Sequence, residues 1–476
     1  MSARAGLWLL LLLLAARAVM AVFLPLTADE AYYWLWSKHL DFGYLDHPPA
    51  IAWLIRGSTA LLGDTAFGVR ASGVLLSGLA SWFVWQAARD LLKDEARAAA
   101  AVLLFNLTLM TNVEMLAATP DMPSIVTSAA FLFCLARLQQ TGEAKYWVWA
   151  GLAAGLSLLS KYSALFLIAG AFLWLLISPR MRPWFKTVWP WAGALLALAV
   201  FAPNLAWQAT HGWESFLFQF SRVAGHQLTG RFILEFLGAQ LGFASPFIFI
   251  LGVIGLIQAR RDDDLFLPAM LVWPAILYFF IHALHDRVQG NWPCFVYPAF
   301  AILAVSAFGG KGWRKWCTRL AVPMAVVFLF AAYTQALTGI FPLGARDPLA
   351  RLLGTGFKPV ADSLADAVRR NAAKAVLTTD YESTAWLRFY EPDLKVIQLG
   401  EPWRYPNAPM PSAELARGPL LYFVEQRRDQ SAQVRNYFSS VLLATQLRIS
   451  RSGQELALYQ IYLAEQQKAP MTGRMP

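Results

Sequence analysis

Apolar runs of about 15 to 25 residues, broken by short polar segments, set the pattern of this chain. A helix of that length covers the roughly 30 Å of hydrocarbon in a bilayer. Eleven such runs fall near 7–26, 66–88, 98–117, 123–138, 146–160, 162–178, 187–203, 232–258, 265–281, 292–308 and 319–340. The first, from Arg4 through the Leu run to Ala21, resembles a signal peptide but is long enough to span, and it reads as helix one. Basic residues sit in alternate breaks: Arg89, Lys93 and Arg97; Arg137 and Lys145; Arg180, Arg182 and Lys186; Arg260 and Arg261; then Lys311, Arg314, Lys315 and Arg319. All fall on one side of an eleven-span chain whose N-terminus, with Arg4, is cytoplasmic, as the positive-inside bias requires. The opposite breaks, 27–65, 118–122, Ser160-Lys161, 204–231 and 282–291, then face outward, and so does the tail.

The first outer segment holds two short amphipathic stretches, 31–40 and 50–62, separated by Gly43 and Pro48-Pro49, which interrupt helices. They read as helices lying along the membrane surface. Past Phe341 the texture changes. Strands are predicted at 375–379, 395–399 and 420–424, with helices at 360–372 and 431–443. The predicted fold class is an α-helical polytopic membrane protein with about eleven transmembrane helices, residues 1–340 with the outer loop 27–65, followed by a small C-terminal α/β domain, residues 341–476. No glycine-rich phosphate loop and no internal repeat is visible.

Composition agrees with a bilayer as solvent. The 476 residues are 57% hydrophobic and 15% charged, with a mean hydropathy of +0.44. Twenty Trp and fifteen Tyr suit many crossings of the interface. The net charge of +10 is scattered between apolar runs and not gathered on one face, so it reads as topology signal and excludes nucleic acid as a partner. Cys134, Cys294 and Cys317 lack the spacing of a disulfide framework or a zinc site.

Charged groups in such a chain are costly unless solvated or paired, which directs attention to those near helix ends on the outward side. The first outer loop opens Thr27-Ala28-Asp29-Glu30, followed by Tyr32, Tyr33, Trp34 and Trp36. Thr27 and Glu30 have the spacing of a capping box. Asp29 is not needed for that box, and a carboxylate there can act as general base toward a hydroxyl. Asp121, in Thr119-Pro120-Asp121-Met122-Pro123, is either a helix cap or a second carboxylate that orients substrate. Cations on the same side are His47, Lys161, Arg222, His226 and Arg287. Arg222 and His226 also read as side chains snorkelling to headgroups. Arg287 also reads as pairing with Asp286. Lys161 breaks two short spans between apolar flanks and has no acidic neighbour in sequence, so it and Arg287 are expected to meet on one phosphate.

Together, Asp29-Glu30-Ala31-Tyr32-Tyr33, Tyr44-Leu45-Asp46-His47-Pro48-Pro49, Thr119-Pro120-Asp121, the Gly155 to Tyr162 stretch ending in Ser-Lys-Tyr, and Arg287 to Pro293 carry a resemblance. Over nearly all of residues 20 to 300 the chain resembles the bacterial branch of the protein mannosyltransferase and aminoarabinose transferase superfamily, which has the GT-C fold. The resemblance implies a glycosyltransferase of the cell inner membrane, with the C-terminal domain periplasmic. Its donor would be a sugar on a polyprenyl phosphate, and its acceptor lipid A, core oligosaccharide, another glycan or a protein. Asp29 matches the first-loop catalytic carboxylate and Asp121 the second acidic position, with Glu30 beside them. Lys161 and Arg287 match phosphate-side positions, joined by His47 and Arg222, while Tyr32, Tyr33, Asn291 and Trp292 become candidate substrate contacts. His47 stands where the aminoarabinose transferases carry Lys before Pro, which exchanges a permanent cation for a group charged only below about pH 6.5.

The implied reaction is an inverting displacement in which Asp29 takes the acceptor proton and polyprenyl phosphate leaves. No cofactor is expected. A divalent metal would have two carboxylates, Asp29 and Asp121, and no further ligands. Two other readings share the many spans: a transporter, which would show repeats and mid-membrane polar groups, and a non-catalytic scaffold of envelope polysaccharide assembly.

Overall fold

The computed structural model describes residues 3–221 and 228–476. It divides into two compact units. One comprises Met1–Val22, Leu40–Leu61 and Arg70–Ala331; the other comprises Phe23–His39, Leu62–Val69 and Ala332–Pro476.

The first unit is built of helices. Among the described residues four helices are long and apolar enough to cross a bilayer alone: Ala66–Leu92, Asp121–Thr141, Trp189–Thr210 and Trp313–Thr338. Others are shorter than the predicted runs. The stretch read as one span at 232–258 is two helices, Arg231–Ala244 and Pro246–Arg261, bent by 106°. The break has a local cause: Ser245 takes φ +68°, and Pro246 has no N–H to continue the ladder. The runs at 146–160 and 162–178 are the helices Lys145–Ser160 and Ala164–Ile177, with Lys161 in extended backbone between them. Large apolar side chains such as Leu75, Leu195, Leu277 and Phe330 are mostly exposed, a surface suited to lipid and not to water.

Helix packing in lipid lacks a hydrophobic drive between helices and relies on close backbone approach at small residues. Gly151 of Lys145–Ser160 meets Gly193 of Trp189–Thr210 so closely that a Cβ on Gly151 would lie 2.1 Å from the Gly193 carbonyl oxygen. At Gly255, against the Leu303 carbonyl, the distance would be 1.9 Å. Neither neighbour is a flexible side chain that can swing away. Gly255→Val is therefore expected to lower the yield of folded protein in detergent sharply and Gly57→Val, at a position with open space, to leave it unchanged apart from helix propensity. Size-exclusion chromatography of the two variants compares them, and equal monodisperse yields would show that the close approach is dispensable.

The second unit carries a five-stranded sheet in the order β2-β1-β3-β5-β4. The strands are β1 (Ala375–Thr378), β2 (Val396–Gln398), β3 (Leu420–Glu425), β4 (Phe438–Arg451) and β5 (Gln454–Gln467). β1 runs parallel to β2 and β3, while β5 is antiparallel to β3 and β4. The three short strands and the helix Phe357–Arg370 lie where the sequence predicts them. The predicted helix at 431–443 does not form: only Ser431–Val434 is helical, and Phe438 onward belongs to β4. Val434, Phe438 and Val441 have helical spacing, yet they join one core with Tyr462 and Ala464 because β4 pairs along β5. The hairpin signal was Ser452-Gly453, both at positive φ, as a two-residue β-turn of the primed type demands.

The helix Ala28–Lys38 is part of this unit. Nine of its eleven residues are buried, the pattern of a helix enclosed on nearly all sides and not of one with a single apolar face. It packs on the helix Tyr381–Tyr390. Trp386 Nε1 donates to the Leu26 carbonyl at 2.9 Å, and Trp34 Nε1 donates to Asp64 at 2.7 Å.

Candidate active site

A candidate carboxylate centre lies in each unit. In the helical unit, Asp121 opens the helix Asp121–Thr141 without capping it. Its side chain is turned to other partners and is buried, 4% exposed. One oxygen accepts from Lys161 Nζ at 2.6 Å and from Cys294 Sγ at 2.8 Å; the other accepts from Asn291 Nδ2 at 3.0 Å. Lys161 reaches this point because Lys145–Ser160 ends at Ser160, and the extended residue after it projects the ammonium toward the start of the neighbouring helix. Asn291 and Cys294 come from the turn Trp292–Val296 and the residue before it. A buried ion pair is retained only with good geometry and additional donors, and both are present here. Glu114, also buried, accepts from the Thr119 hydroxyl at 3.3 Å.

Lys161 and Arg287, expected to meet on one phosphate, each have a carboxylate partner of their own. Lys161 pairs with Asp121, whereas Arg287 is exposed and donates from Nε to Glu235 at 2.8 Å. The Asp286 carboxylate accepts from the backbone N–H of Arg287 and so shapes the turn. The backbone carbonyl of His47 accepts from Tyr44 N–H at 3.1 Å, which closes the Asp46-His47-Pro48 turn. Trp292 lies edge-on to His282, with ring centres 5.5 Å apart. Arg222 and His226 lie outside the described residues.

In the second unit, Thr27 and Glu30 form the capping box in both directions: Glu30 N–H donates to Thr27 Oγ1 at 3.1 Å, and Thr27 N–H donates to the Glu30 carboxylate at 2.9 Å. Glu30 is fully buried in this role, and Asp29 is partly exposed. Asp29 accepts a hydrogen bond of 2.9 Å from the hydroxyl of Tyr381. Burial, reinforced by the Asp29 charge, raises the Tyr381 phenol well above its ordinary range, so it stays protonated and serves as donor. Tyr381 opens its helix behind the N-cap Asp380, and its backbone N–H donates to Glu401 at 2.9 Å.

Around this pair lies an aromatic cluster. Tyr32 is 5.3 Å from Tyr381, 5.6 Å from Tyr405 and 5.0 Å from Trp36, ring centre to ring centre. Tyr33, buried, stacks edge-on against Trp36 at 4.8 Å. The Arg404 guanidinium lies 4.4 Å from the centre of the Tyr381 ring and 5.8 Å from that of Tyr32, within the range of a cation over an aromatic face. Glu401 holds Arg404 through Nε at 3.4 Å. Tyr381, Glu401, Arg404 and Tyr405 were not singled out from the sequence. Their signals were an Asp cap before Tyr381 and an arginine between aromatics in Trp403-Arg404-Tyr405. Among the described residues no three His, Cys, Asp or Glu side chains are grouped to hold a metal.

Comparison with known proteins bears on what these centres serve. Residues 46–207 match the model of the family described as dolichyl-phosphate-mannose-protein mannosyltransferase. The chain is 30% identical over 361 residues to the lipid A galacturonosyltransferase RgtD of Rhizobium johnstonii, covering 72% of each chain. It is 25% identical to the lipopolysaccharide core galacturonosyltransferase RgtA of the same organism, covering 93% of this chain and 92% of that one. In structure it is similar to ArnT of Cupriavidus metallidurans, solved with bound undecaprenyl phosphate, with a TM-score of 0.63 over 97% of this chain and 98% of that one at 16% identity. A mostly helical, lipid-suited fold with a small C-terminal sheet, the family match and the two relatives agree, and the chain is a membrane-embedded GT-C glycosyltransferase belonging to the bacterial protein mannosyltransferase and aminoarabinose transferase superfamily.

Proposed function

We propose that this enzyme transfers a hexuronic acid from a polyprenyl-phosphate donor to lipid A or the lipopolysaccharide core, at the periplasmic face of the inner membrane. The sugar and acceptor rest on the names of its relatives, lipid A and core galacturonosyltransferases. The observation that carries the mechanism is the division of labour at the first loop. Glu30 is consumed by the capping box, and Asp29 is presented by it, partly exposed and oriented by the Tyr381 hydroxyl. Asp29 then takes the proton of the acceptor hydroxyl as its oxygen attacks the anomeric carbon. The bond from that carbon to the phosphate oxygen breaks with inversion, and polyprenyl phosphate departs with the electron pair. Such a leaving group needs no general acid.

Lys161 is assigned to the phosphate, with Asp121 and Asn291 as the groups that position it; Arg287, His47 and Arg222 are further cations for phosphate. Growth of charge on the leaving phosphate is met best by cations fixed in advance, and the Asp121 carboxylate fixes Lys161 at 2.6 Å. Tyr32, Tyr33 and Trp292 are assigned to sugar contact. The test is turnover by the purified protein of polyprenyl-phosphate galacturonic acid with a lipid A acceptor, followed by mass spectrometry of the product. A lipid A that gains no uronic acid mass would overturn the assignment.

The topology proposed is eleven crossings, counting the bent pair Arg231–Arg261 as one, with the N-terminus cytoplasmic and residues beyond 340 periplasmic. The one-sided distribution of Lys and Arg supports it. Alkaline phosphatase fused after residue 476 is expected to be active, while a green fluorescent protein at the same point stays dark; the opposite pair of results would make the number of crossings even.

A further inference from the structure

We propose that Arg404 is the specificity residue that reads the carboxylate of the donor sugar, so that the C-terminal part of the chain selects a uronic acid over a neutral hexose. The inference rests on the transfer reaction proposed above and names the group that chooses its sugar.

The geometry begins at one tyrosine. The Tyr381 hydroxyl ends on Asp29, the proposed base, and the face of the same ring carries the Arg404 guanidinium, 4.4 Å from its centre. Tyr32, one helical turn beyond Asp29, lies against Tyr381 with its ring tilted by 59°. Base and guanidinium thus meet one tyrosine ring at two places, the base at its hydroxyl and the cation over its face. In a hexopyranuronate, C1 and the carbon bearing the carboxylate are the two neighbours of the ring oxygen. A sugar whose C1 addresses Asp29 therefore holds its carboxylate about one ring away, the spacing at which Arg404 stands from the group that holds the base.

Chemistry favours arginine for this task. A planar guanidinium has five donors and matches a carboxylate in bidentate fashion, and it stacks on aromatic rings as ammonium does not. Arg404 is largely sequestered, its side chain 13% exposed, where such hydrogen bonds strengthen. It is also held in place. Glu401 forms an ion pair with the Arg404 guanidinium, 3.4 Å from Nε, and accepts from the Tyr381 backbone N–H, which links the cation to the residue that orients the base. A purely structural cation–aromatic contact would not need to be placed on the ring that holds Asp29.

The shared chemistry is an anionic substrate group, and its two sources are the donor carboxylate and an acceptor phosphate. The test uses purified full-length wild type, Arg404→Gln and Arg404→Lys, with two donors, polyprenyl-phosphate galacturonic acid and polyprenyl-phosphate galactose, and lipid A as acceptor. Arg404→Gln is expected to lower kcat/KM for the uronic acid donor on the order of 10- to 100-fold more than for the galactose donor, the range for losing a charge-assisted hydrogen-bonded pair. Arg404→Lys should fall between, since it keeps charge without the fork. An equal loss for both donors with an unchanged melting temperature overturns the proposal, and so does a change confined to the acceptor KM, which assigns the cation to an acceptor phosphate. If Arg404→Gln melts low, the ratio between donors in Arg404→Lys decides: a ratio equal to wild type overturns the proposal. Wild-type turnover of the uronic acid donor with an unaffected Arg404→Gln sinks this inference alone, whereas a wild type that uses neither donor sinks the proposed function and this inference with it.

Discussion

Asp29→Asn is expected to cut sugar transfer at least ~100-fold, the lower end for a missing acid-base group, without loss of folded protein. Asn has nearly the shape of Asp and still offers an oxygen to the Tyr381 hydroxyl, which donates to Asp29 at 2.9 Å. The capping box between Thr27 and Glu30 does not involve Asp29, so the start of the helix Ala28–Lys38 stays formed. What disappears is the capacity to take a proton from the acceptor. The loss should appear in kcat, with donor and acceptor KM little changed, because the proton moves only in the transition state. Glu30→Gln keeps a side-chain oxygen for the Thr27 N–H and should cost far less. Steady-state kinetics on purified variants settles the matter: near-normal turnover by Asp29→Asn would remove Asp29 from the chemistry, and a larger loss in Glu30→Gln would move the base to Glu30.

The second large effect belongs to the buried pair of Asp121 and Lys161. Asp121→Ala leaves an ammonium whose side chain is only 12% exposed beside two other donors, Asn291 and Cys294, that have lost their acceptor. Lys161→Met leaves the mirror problem, a carboxylate 5% exposed without its counter-ion. Breaking a buried pair from one side typically costs about 3–5 kcal/mol, most of it the uncompensated charge. Removing both charges together is much cheaper. The double variant Asp121→Ala, Lys161→Met is therefore expected to be more stable than either single variant, with a coupling of at least ~2 kcal/mol between the sites. Transfer should stay low in all three, because none keeps a positioned cation for the phosphate. Denaturant titration in detergent micelles gives the cycle, and additive losses would mean that the two residues do not form a pair in solution. Recovery of transfer in the double variant would separate the pair from catalysis altogether.

The legible part of this protein was what a local pattern can encode. The length of an apolar run reports burial in lipid, since a bilayer demands that every backbone group be satisfied within its own helix over a fixed thickness. The helices at Ala66–Leu92, Asp121–Thr141, Trp189–Thr210 and Trp313–Thr338 were visible for that reason. The Thr27 and Glu30 spacing announced its box because both partners lie within one turn. Two elements misled. The bend at Ser245 hides in an unbroken apolar run, because hydropathy is blind to φ. The strand β4 imitates a helical period, because an edge strand with one buried face can carry apolar residues at chance spacings.

By itself, then, the sequence determined the solvent of the fold and the texture of the C-terminal α/β region, and it offered Asp29, Asp121, Lys161 and Asn291 as candidates. The tertiary structure alone decided their partners. Asp121 meets Lys161 across 40 residues and Asn291 across 170, and Asp29 meets Tyr381 across 352. Lys161 looked like a cation waiting for a phosphate because no carboxylate stands near it in sequence. It also has a carboxylate partner, Asp121, since the end of one helix and the beginning of another are packed side by side. Arg404 showed in its own neighbourhood only as an arginine between aromatics, with nothing there to link it to Tyr381 and Asp29. Periodicity fixes which face of an element is buried, but which side chains meet there depends on packing between elements, and that information is distributed over the whole chain.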